Sequence, residues 1–428
     1  MLKKIHVTAT SSNFEREPLV RPFGFKGNYL TELWQVAAHL QAASGVSGTG
    51  LATQSVLYGD ADFFAAQPEA GGNALMYALC NRALELVKKT PFHTPVDLLH
   101  AILPAVKEAA TQLAGCTVND NFILNALVSV DNAAWLLYAA ENGFSSFDDM
   151  LPAVFKPALQ HRNQSIAILY QVSYNMPVAD IVRAAHEGFF VFKIKTGHPG
   201  SQEEMLRLDM ERLTAIHAAL KDLRTPHTAS SQLLYTMDAN ARYKKKETLL
   251  RYLDHARKIG AFDQVLLYEE PLSETNTEYV GDVGVRVAAD DSIHNEQDAQ
   301  ARLEQGYGAL VLKGIAKTLS MSLPVARLAH ERNVPCMCSD LTVNPLLVNW
   351  HKNLAARLAP FPGMGMGLME TNGDANYCRW QQMKQHAPGW EDPSDGMFRL
   401  NKDFYERSGG IFEPVAHYEK MFSKHSRI

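Results

Sequence analysis

The sequence predicts an α/β protein built on a (β/α)8 barrel of the TIM type, preceded by a separate α+β unit. Three observations predict it. From about Ser165 short apolar runs alternate with helix-length amphipathic segments; the runs number eight; and charged residues end five of them in succession. Repeated β-then-α units of that count favour a closed parallel barrel over an open doubly wound sheet.

Before the barrel, the first hundred and thirty or so residues lack this rhythm. Leu33–Ser44 and Gly50–Tyr58 read as a strand pair turning at Gly45–Gly50, and helical periodicity follows in Ala74–Lys88, Val96–Leu113 and Phe122–Asn142, the last stopping on Gly143. The eight strands are Ser165–Gln171, Phe189–Lys195, Leu233–Asp238, Gln264–Glu269, Val285–Asp290, Ala309–Lys313, Val334–Ser339 and Gly363–Glu370. Between them lie helical patterns at Val178–Glu187, Ser201–Leu223, Lys245–Ile259, Glu296–Glu304 and Ser322–Glu331. Residues 376–428, rich in aromatics and charge, are expected to pack back on the first unit. The expected units are thus 1–145, a barrel over 146–375, and the tail.

Composition narrows the function. The chain has 428 residues, 46% hydrophobic and 20% charged, the profile of an ordinary globular protein able to bury a large core. A net charge of −5 leaves no basic footprint for phosphate backbones, so nucleic acid is excluded as a partner. No signal-like or spanning apolar run is visible, which predicts a cytoplasmic protein without a membrane partner. Five scattered cysteines, Cys80, Cys116, Cys336, Cys338 and Cys378, do not form a disulfide framework, and Cys336-Met-Cys338 reads as buried strand rather than half a metal site.

Barrel active sites lie at the C-terminal ends of the strands, so the polar residues closing each apolar run carry the chemistry. Strand two closes on Lys193-Ile-Lys195, strand three on Asp238-Ala-Asn240, strand four on Glu269-Glu270, strand five on Asp290-Asp291 and strand six on Lys313. Carboxylates on three consecutive strands suit a hard divalent cation, Mg2+ or Mn2+, with Asp238, Glu269 and Asp290 as expected ligands, although alternation alone does not separate neighbouring acids. Strands two and six are four apart in a ring of eight, which sets Lys195 and Lys313 across the barrel mouth from one another. That pattern fits removal of an α-proton from a carboxylate substrate, since a cation stabilises the enediolate charge that develops. A lysine base must be partly neutral, and positive charge from Lys193 and the metal is expected to lower its pKa. Lys193 thus supports rather than transfers the proton.

At these residues the chain resembles the enolase superfamily, in particular its muconate-lactonising-enzyme-like subgroup. Lys193-Ile-Lys195, Asp238-Ala-Asn240, Glu269-Glu270-Pro271, Ala289-Asp290-Asp291-Ser292 and Lys313-Gly-Ile-Ala-Lys317 follow that subgroup's order, and Ser129-Val-Asp-Asn-Ala-Ala-Trp135 is similar to the helix leading into its barrel. The resemblance implies a capping domain from the N-terminal region plus the tail, and the first acid of each pair, Glu269 and Asp290, as metal ligand. Asp291 stands where the family usually has Glu, and the stretch between Lys195 and Asp238 is longer than typical. Histidine-using branches are disfavoured because Cys336-Met-Cys-Ser-Asp340 offers no histidine.

Two opposed lysines permit racemisation or epimerisation; cycloisomerisation or β-elimination remains open on the same scaffold, as does a carboxylate-binding barrel without turnover. Glu370-Thr-Asn372-Gly-Asp374 partly matches the acidic segment with which dipeptide epimerases hold a substrate ammonium, which implies an amino-acid-derived substrate with Glu370, Asn372 and Asp374 in contact; a polar turn is the competing reading. Arg21–Tyr29, with Phe25, is expected as a lid, and Gly363–Gly367 as close packing in the last strand rather than a phosphate cradle. A homo-oligomer of the chain acting on a small carboxylate is the expected assembly.

Overall fold

The computed structural model describes residues 2–26 and 28–422. Its N-terminal part is a three-stranded antiparallel sheet, β1 (Val7–Phe25), β2 (Asn28–Ala42) and β3 (Ser47–Gln54), in the order β1-β2-β3. The expected strand pair is present as β2 and β3, but β1 was not legible. Its central segment Glu15-Arg16-Glu17-Pro18 interrupts any apolar alternation, and a register shift falls between Pro18 and Phe23. Helices α1 (Glu69–Val87), α2 (Pro95–Ala114) and α3 (Asp120–Asn142) follow. Thr94 and Asp97 form a reciprocal capping box at the start of α2, and Gly143 closes α3 in the left-handed conformation, φ 71°, as its sequence predicts.

The turn glycines do a different job from the one expected. The reversal uses Gly45, at φ 88°, whereas Gly48 and Gly50 lie inside β3. A Cβ at Gly48 would stand 2.6 Å from the Ala133 carbonyl oxygen, and one at Gly50 would overlap the backbone of Ser129 and Ala133. Only bare backbone lets β3 press against α3 this closely. Helix α3 is long and apolar enough to cross a membrane by length and composition, but it is packed inside the molecule, between β3 and the barrel.

Eight parallel strands then close a barrel: β4 (Ser165–Val172), β5 (Val191–Lys195), β6 (Leu234–Asp238), β7 (Val265–Glu269), β8 (Val287–Ala289), β9 (Ala309–Leu312), β10 (Cys336–Cys338) and β11 (Gly367–Glu370). Each pairs with its sequence neighbour, and β11 pairs back onto β4 from Gly367↔Ile166 to Glu370↔Leu169. All eight expected strands are present. Cys336 and Cys338 are buried free thiols in β10. The intervening helices are α4 (Val178–His186), α5 (Gln202–Leu220), α6 (Lys246–Lys258), α7 (Glu296–Glu304), α8 (Leu319–Glu331) and α9 (Pro345–Arg357). The last was not anticipated, and the reason is physical: all thirteen of its residues are buried, so it has no polar face to set a period. The tail satisfies some of its polar groups, as when Asn353 Nδ2 donates to the Ser408 carbonyl at 2.7 Å, while Arg357 pairs with Asp148.

The tail touches both units. Strand β12 (Met397–Arg399) runs antiparallel beside the first half of β4, while Cys378 N donates to Pro18 O in the N-terminal sheet. The β1–β2 hairpin tip thereby reaches over the C-terminal ends of the barrel strands, its Lys26 pairing with Asp291 at 2.9 Å.

Candidate active site

The alternation of a strand puts Lys193 and Lys195 on one face with Ile194 between them. Both ammonium groups reach the same carboxylate oxygen, Asp238 Oδ2, at 3.1 and 2.5 Å. Lys193, 1% exposed, is also held by Glu269 at 2.8 Å, Glu370 at 3.0 Å and Ser339 Oγ at 3.1 Å. Lys195 is the more accessible of the two and donates to Asn240 Oδ1 at 3.2 Å. Across the mouth, Lys313 Nζ lies 2.5 Å from Asp290 and 3.5 Å from Asp291, over the Tyr58 ring at 4.8 Å. In the ring order β5 and β9 are four strands apart, so the two lysines take opposite sides, as expected.

Electrostatics follow from burial. Desolvation raises Asp238, but Lys195 and Lys193 outweigh it and hold the carboxyl below its ordinary range. Burial raises Glu269 too, and there it wins over Lys193, with Asp238 and Asp290 pushing the same way. Burial lowers Lys313, yet Asp290 and Asp291 overcome it and keep the ammonium well above its usual pKa; Lys193 behaves likewise under Glu269, Glu370 and Asp238. The expected lowering of a lysine by Lys193 is therefore reversed for Lys313 here, because it faces two acids at close range and Lys193 only beyond them.

The second acid of each pair has its own task. Glu270 turns away, φ 37°, and its Oε2 accepts from Asp290 N at 2.6 Å and Ser292 Oγ at 3.0 Å, bracing the strand-five end. Asp291 meets Lys26 of the hairpin. Glu269 and Asp290 are thus the inward members, in line with the resemblance. Among the described residues no three His, Cys, Asp or Glu side chains stand close enough together to hold an ion as they are, since the Lys193 and Lys313 ammonium groups lie between the carboxylates. The donor set nevertheless fits a hard divalent cation: Asp238, Glu269 and Asp290 offer carboxylate oxygens from consecutive strand ends, and Glu269 Oε2 and Asp290 Oδ1 are buried with no hydrogen-bond partner.

Lys193, Lys195, Asp238, Asp291 and Lys313 line a cavity of about 50 Å3 together with Phe25, Tyr58 and Gln171, while Glu269 and Asp290 lie behind its wall. Glu370 faces it, but its Oε2 is already taken by Lys193, Ser339 Oγ at 2.7 Å and Asp340 N at 3.2 Å. Asp374 lines a different, adjoining cavity, and Asn372 borders both. Glu370 and Asp374 therefore do not meet as a pair. Sequence reasoning missed Gln171, Ser339 and Tyr58, and it placed Lys26 in the expected lid segment Arg21–Tyr29 without foreseeing its pairing with Asp291. Gln171 and Ser339 each end an apolar run and the strand-end rule applied to all eight strands would have found them; Tyr58 comes from the N-terminal unit and carries no such signal.

A closed barrel with lysines and carboxylates at successive strand ends, covered by an antiparallel sheet unit, defines a class of enzyme fold. The chain belongs to the enolase C-terminal domain-like family, whose model matches residues 178–403. Solved structures extend the likeness over nearly the whole chain. A mandelate racemase/muconate lactonizing protein from Herpetosiphon aurantiacus is 16% identical, covering 92% of this chain and 96% of its own, with a TM-score of 0.65. A dipeptide epimerase from Enterococcus faecalis V583, complexed with Mg and L-Leu-L-Tyr, is 15% identical, covering 86% and 90%, TM-score 0.58. L-talarate dehydratase from Polaromonas sp. JS666, complexed with Mg and L-glucarate, is 16% identical, covering 93% of each chain, TM-score 0.61. No curated protein matches the sequence. The family and the barrel with its covering unit are as the sequence predicted.

Proposed function

We propose that the protein removes the α-proton of a carboxylate substrate with one lysine and delivers a proton from the opposite side with the other, racemising or epimerising an amino-acid derivative or dipeptide. The observation that carries this is the pair of lysines on opposite strands, Lys195 and Lys313, each ion-paired with a strand-end carboxylate and both bordering one small cavity. Asp238, Glu269 and Asp290 would hold Mg2+, which supplies positive charge to the substrate carboxylate as its α-proton leaves. Lys195 and Lys313 exchange the proton with the α-carbon from the two faces, and Lys193 steadies Asp238 and Glu269 from below. The hairpin tip, with Phe25 and the Lys26–Asp291 pair, shields the cavity from water. Residues 1–145 and 376–428 act as the capping unit over a barrel of 146–375.

The test is α-proton exchange. The enzyme with Mg2+ in D2O is incubated with dipeptides, N-acyl amino acids and sugar acids, and deuterium uptake is read by mass spectrometry. Uptake with inversion, abolished by EDTA, is expected, with Lys195→Ala and Lys313→Ala each losing at least about a hundredfold in racemisation. Loss of water or ring closure without inversion would assign the lyase or cycloisomerase reaction instead, and binding without any exchange would overturn the catalytic reading.

A further inference from the structure

The cavity around the lysines is too small to be the whole substrate site. About 50 Å3 of free space accommodates little beyond a carboxylate and its α-carbon, whereas the adjoining cavity offers about 290 Å3. The two are contiguous, because Phe23, Gln171 and Asn372 line both. A hydrogen bond from Asn372 Nδ2 to Gln171 Oε1, 3.0 Å, forms the partition between them.

The larger cavity lies outside the barrel axis. Its floor is the outward side of the first strand, Ile168 and Tyr170, with Phe189; the tail supplies Trp380, Trp390 and Phe398; and the hairpin supplies Phe23 as roof. Such a surround of rings holds a flat apolar group by burial and stacking. The charges at its edge are Glu187, Asp374 and Asp392 against Arg21; Glu187 faces Arg183 at 3.8 Å, so the acid that an anionic group would meet uncompensated is Asp374. Lys384 and the Trp390 indole N–H occupy Asp392, while Asp374 has no ion-pair partner among the described residues. At the junction itself, Asn372 is 7% exposed and its Oδ1 is buried without a hydrogen-bond partner. An unused acceptor at that point calls for a donor from the ligand.

We propose that this aromatic cavity is the subsite for the second half of the substrate: a large planar, uncharged or cationic group joined to the reacting carbon through an N–H that donates to Asn372 Oδ1. The assignment rests on the proton-transfer reading above and extends it to a substrate class, N-substituted amino acids whose substituent is aromatic and not acidic. The Gln171–Asn372 partition sets the distance between reacting carbon and ring, and Phe23, being on the hairpin, closes over both halves at once.

Calorimetric titration of the Mg2+-loaded full chain tests it with a series sharing one 2-substituted propanoate: N-acetyl, N-phenylacetyl and N-succinyl alanine, and O-phenylacetyl lactate, which lacks the N–H. The phenylacetyl amide is expected to bind at least about tenfold tighter than the acetyl one. The succinyl compound should gain nothing over acetyl, and the ester should lose about fivefold or more against its amide. Ala375→Trp, which puts an indole into the cavity from an exposed position, should erase the phenylacetyl preference. Equal affinity for acetyl and phenylacetyl, or for amide and ester, overturns the assignment, as does a preference that survives Ala375→Trp. Deuterium exchange with the same ligands separates the two readings: a binding preference without exchange sinks the proton-transfer role alone, and exchange without preference sinks the subsite alone.

Discussion

Lys193 meets three carboxylates at once, and replacing it with methionine tests the electrostatic account of the site. Its ammonium, 1% exposed, is bound by Asp238, Glu269 and Glu370 at 3.1, 2.8 and 3.0 Å. Lys193→Met keeps the length of the side chain but leaves three buried carboxylates without their shared counter-charge, a change of about 3–5 kcal/mol for one buried partner removed. The entropy of unfolding is about 2 cal/mol/K per residue, or about 0.9 kcal/mol/K for this chain, so the melting temperature in EDTA should fall by about 3–5 °C. The loss should grow with pH. Acids left unpaired and buried titrate above their unfolded values, so the folded state binds more protons, and stability falls as pH rises through that range. Added Mg2+ should recover much of the loss in the variant, because a cation bound to the native state alone stabilises it and here replaces the missing charge. Differential scanning calorimetry at pH 6 and 8, with EDTA or Mg2+, measures all of this. An unchanged or higher melting temperature at pH 8 in EDTA would refute the reasoning, since it would mean that the three carboxylates do not depend on the ammonium.

Three further outcomes follow from particular residues. Gly50→Ala should destabilise the N-terminal sheet by about 3 kcal/mol, because the added carbon meets the backbone of α3 rather than a side chain that can move; chemical denaturation measures it, and a loss under about 1 kcal/mol would contradict the close approach. Asp131, buried in α3 and accepting from Ser320 N at 3.1 Å, is pushed up to about 6 by desolvation from an ordinary 3.8, despite hydrogen bonds from Ser320. A folded pKa above the unfolded one means that its ionisation lowers stability as pH rises from about 4 to about 6, by about 3 kcal/mol, so Asp131→Asn should match wild type near pH 4 and exceed it above pH 6. A stability difference that does not vary with pH would exclude this. Finally, a carboxylate ligand such as N-acetyl alanine should give binding heat in Mg2+ and none in EDTA, and equal binding in both would remove the cation from the recognition of substrate.

The barrel was legible because its chemistry sits where its geometry does. A strand of four or five apolar residues ending in a charge is readable twice, as β structure and as a site, and Lys193, Lys195, Asp238, Glu269, Asp290 and Lys313 were all found that way. What escaped had no such double signal. Strand β1 has charged and proline residues where alternation should be, and α9 is buried on every side, so neither shows the period that marks an element lying on a surface. The partners of the site from the N-terminal unit were hidden for another reason. Lys26 and Tyr58 reach Asp291 and Lys313 only through tertiary docking across more than two hundred residues; the aromatic and basic run Arg21–Tyr29 marks a lid but not the partner of Lys26, and nothing around Tyr58 reports its contact. The strand-eight acids misled in a related way: spacing placed Glu370 and Asp374 near each other, but Glu370 points down the barrel to Lys193 while Asp374 has left the strand and borders the next cavity.

Charge balance ties these residues into one argument about order of binding. With Lys26 set against Asp291, the interior holds the ammonium groups of Lys193, Lys195, Lys313 and Lys317 among the carboxyl groups of Asp238, Glu269, Asp290 and Glu370, with Glu270 and Asp340 pushed up to about 7 beside them. The ammonium groups of Lys193, Lys195 and Lys313 are already engaged by these acids, so an incoming carboxylate gains little from them. A divalent cation held by Asp238, Glu269 and Asp290 would add positive charge that no acid already neutralises, and a substrate carboxylate would be drawn to it. With Asp290 engaged by such a cation, Lys313 would lose the carboxylate that most raises its pKa, and its ammonium would move toward the range in which a lysine can exchange a proton. On the proposed reading, recognition of substrate and readiness of Lys313 would thus depend on one binding event, so that ligand heat and proton exchange should vanish together in EDTA.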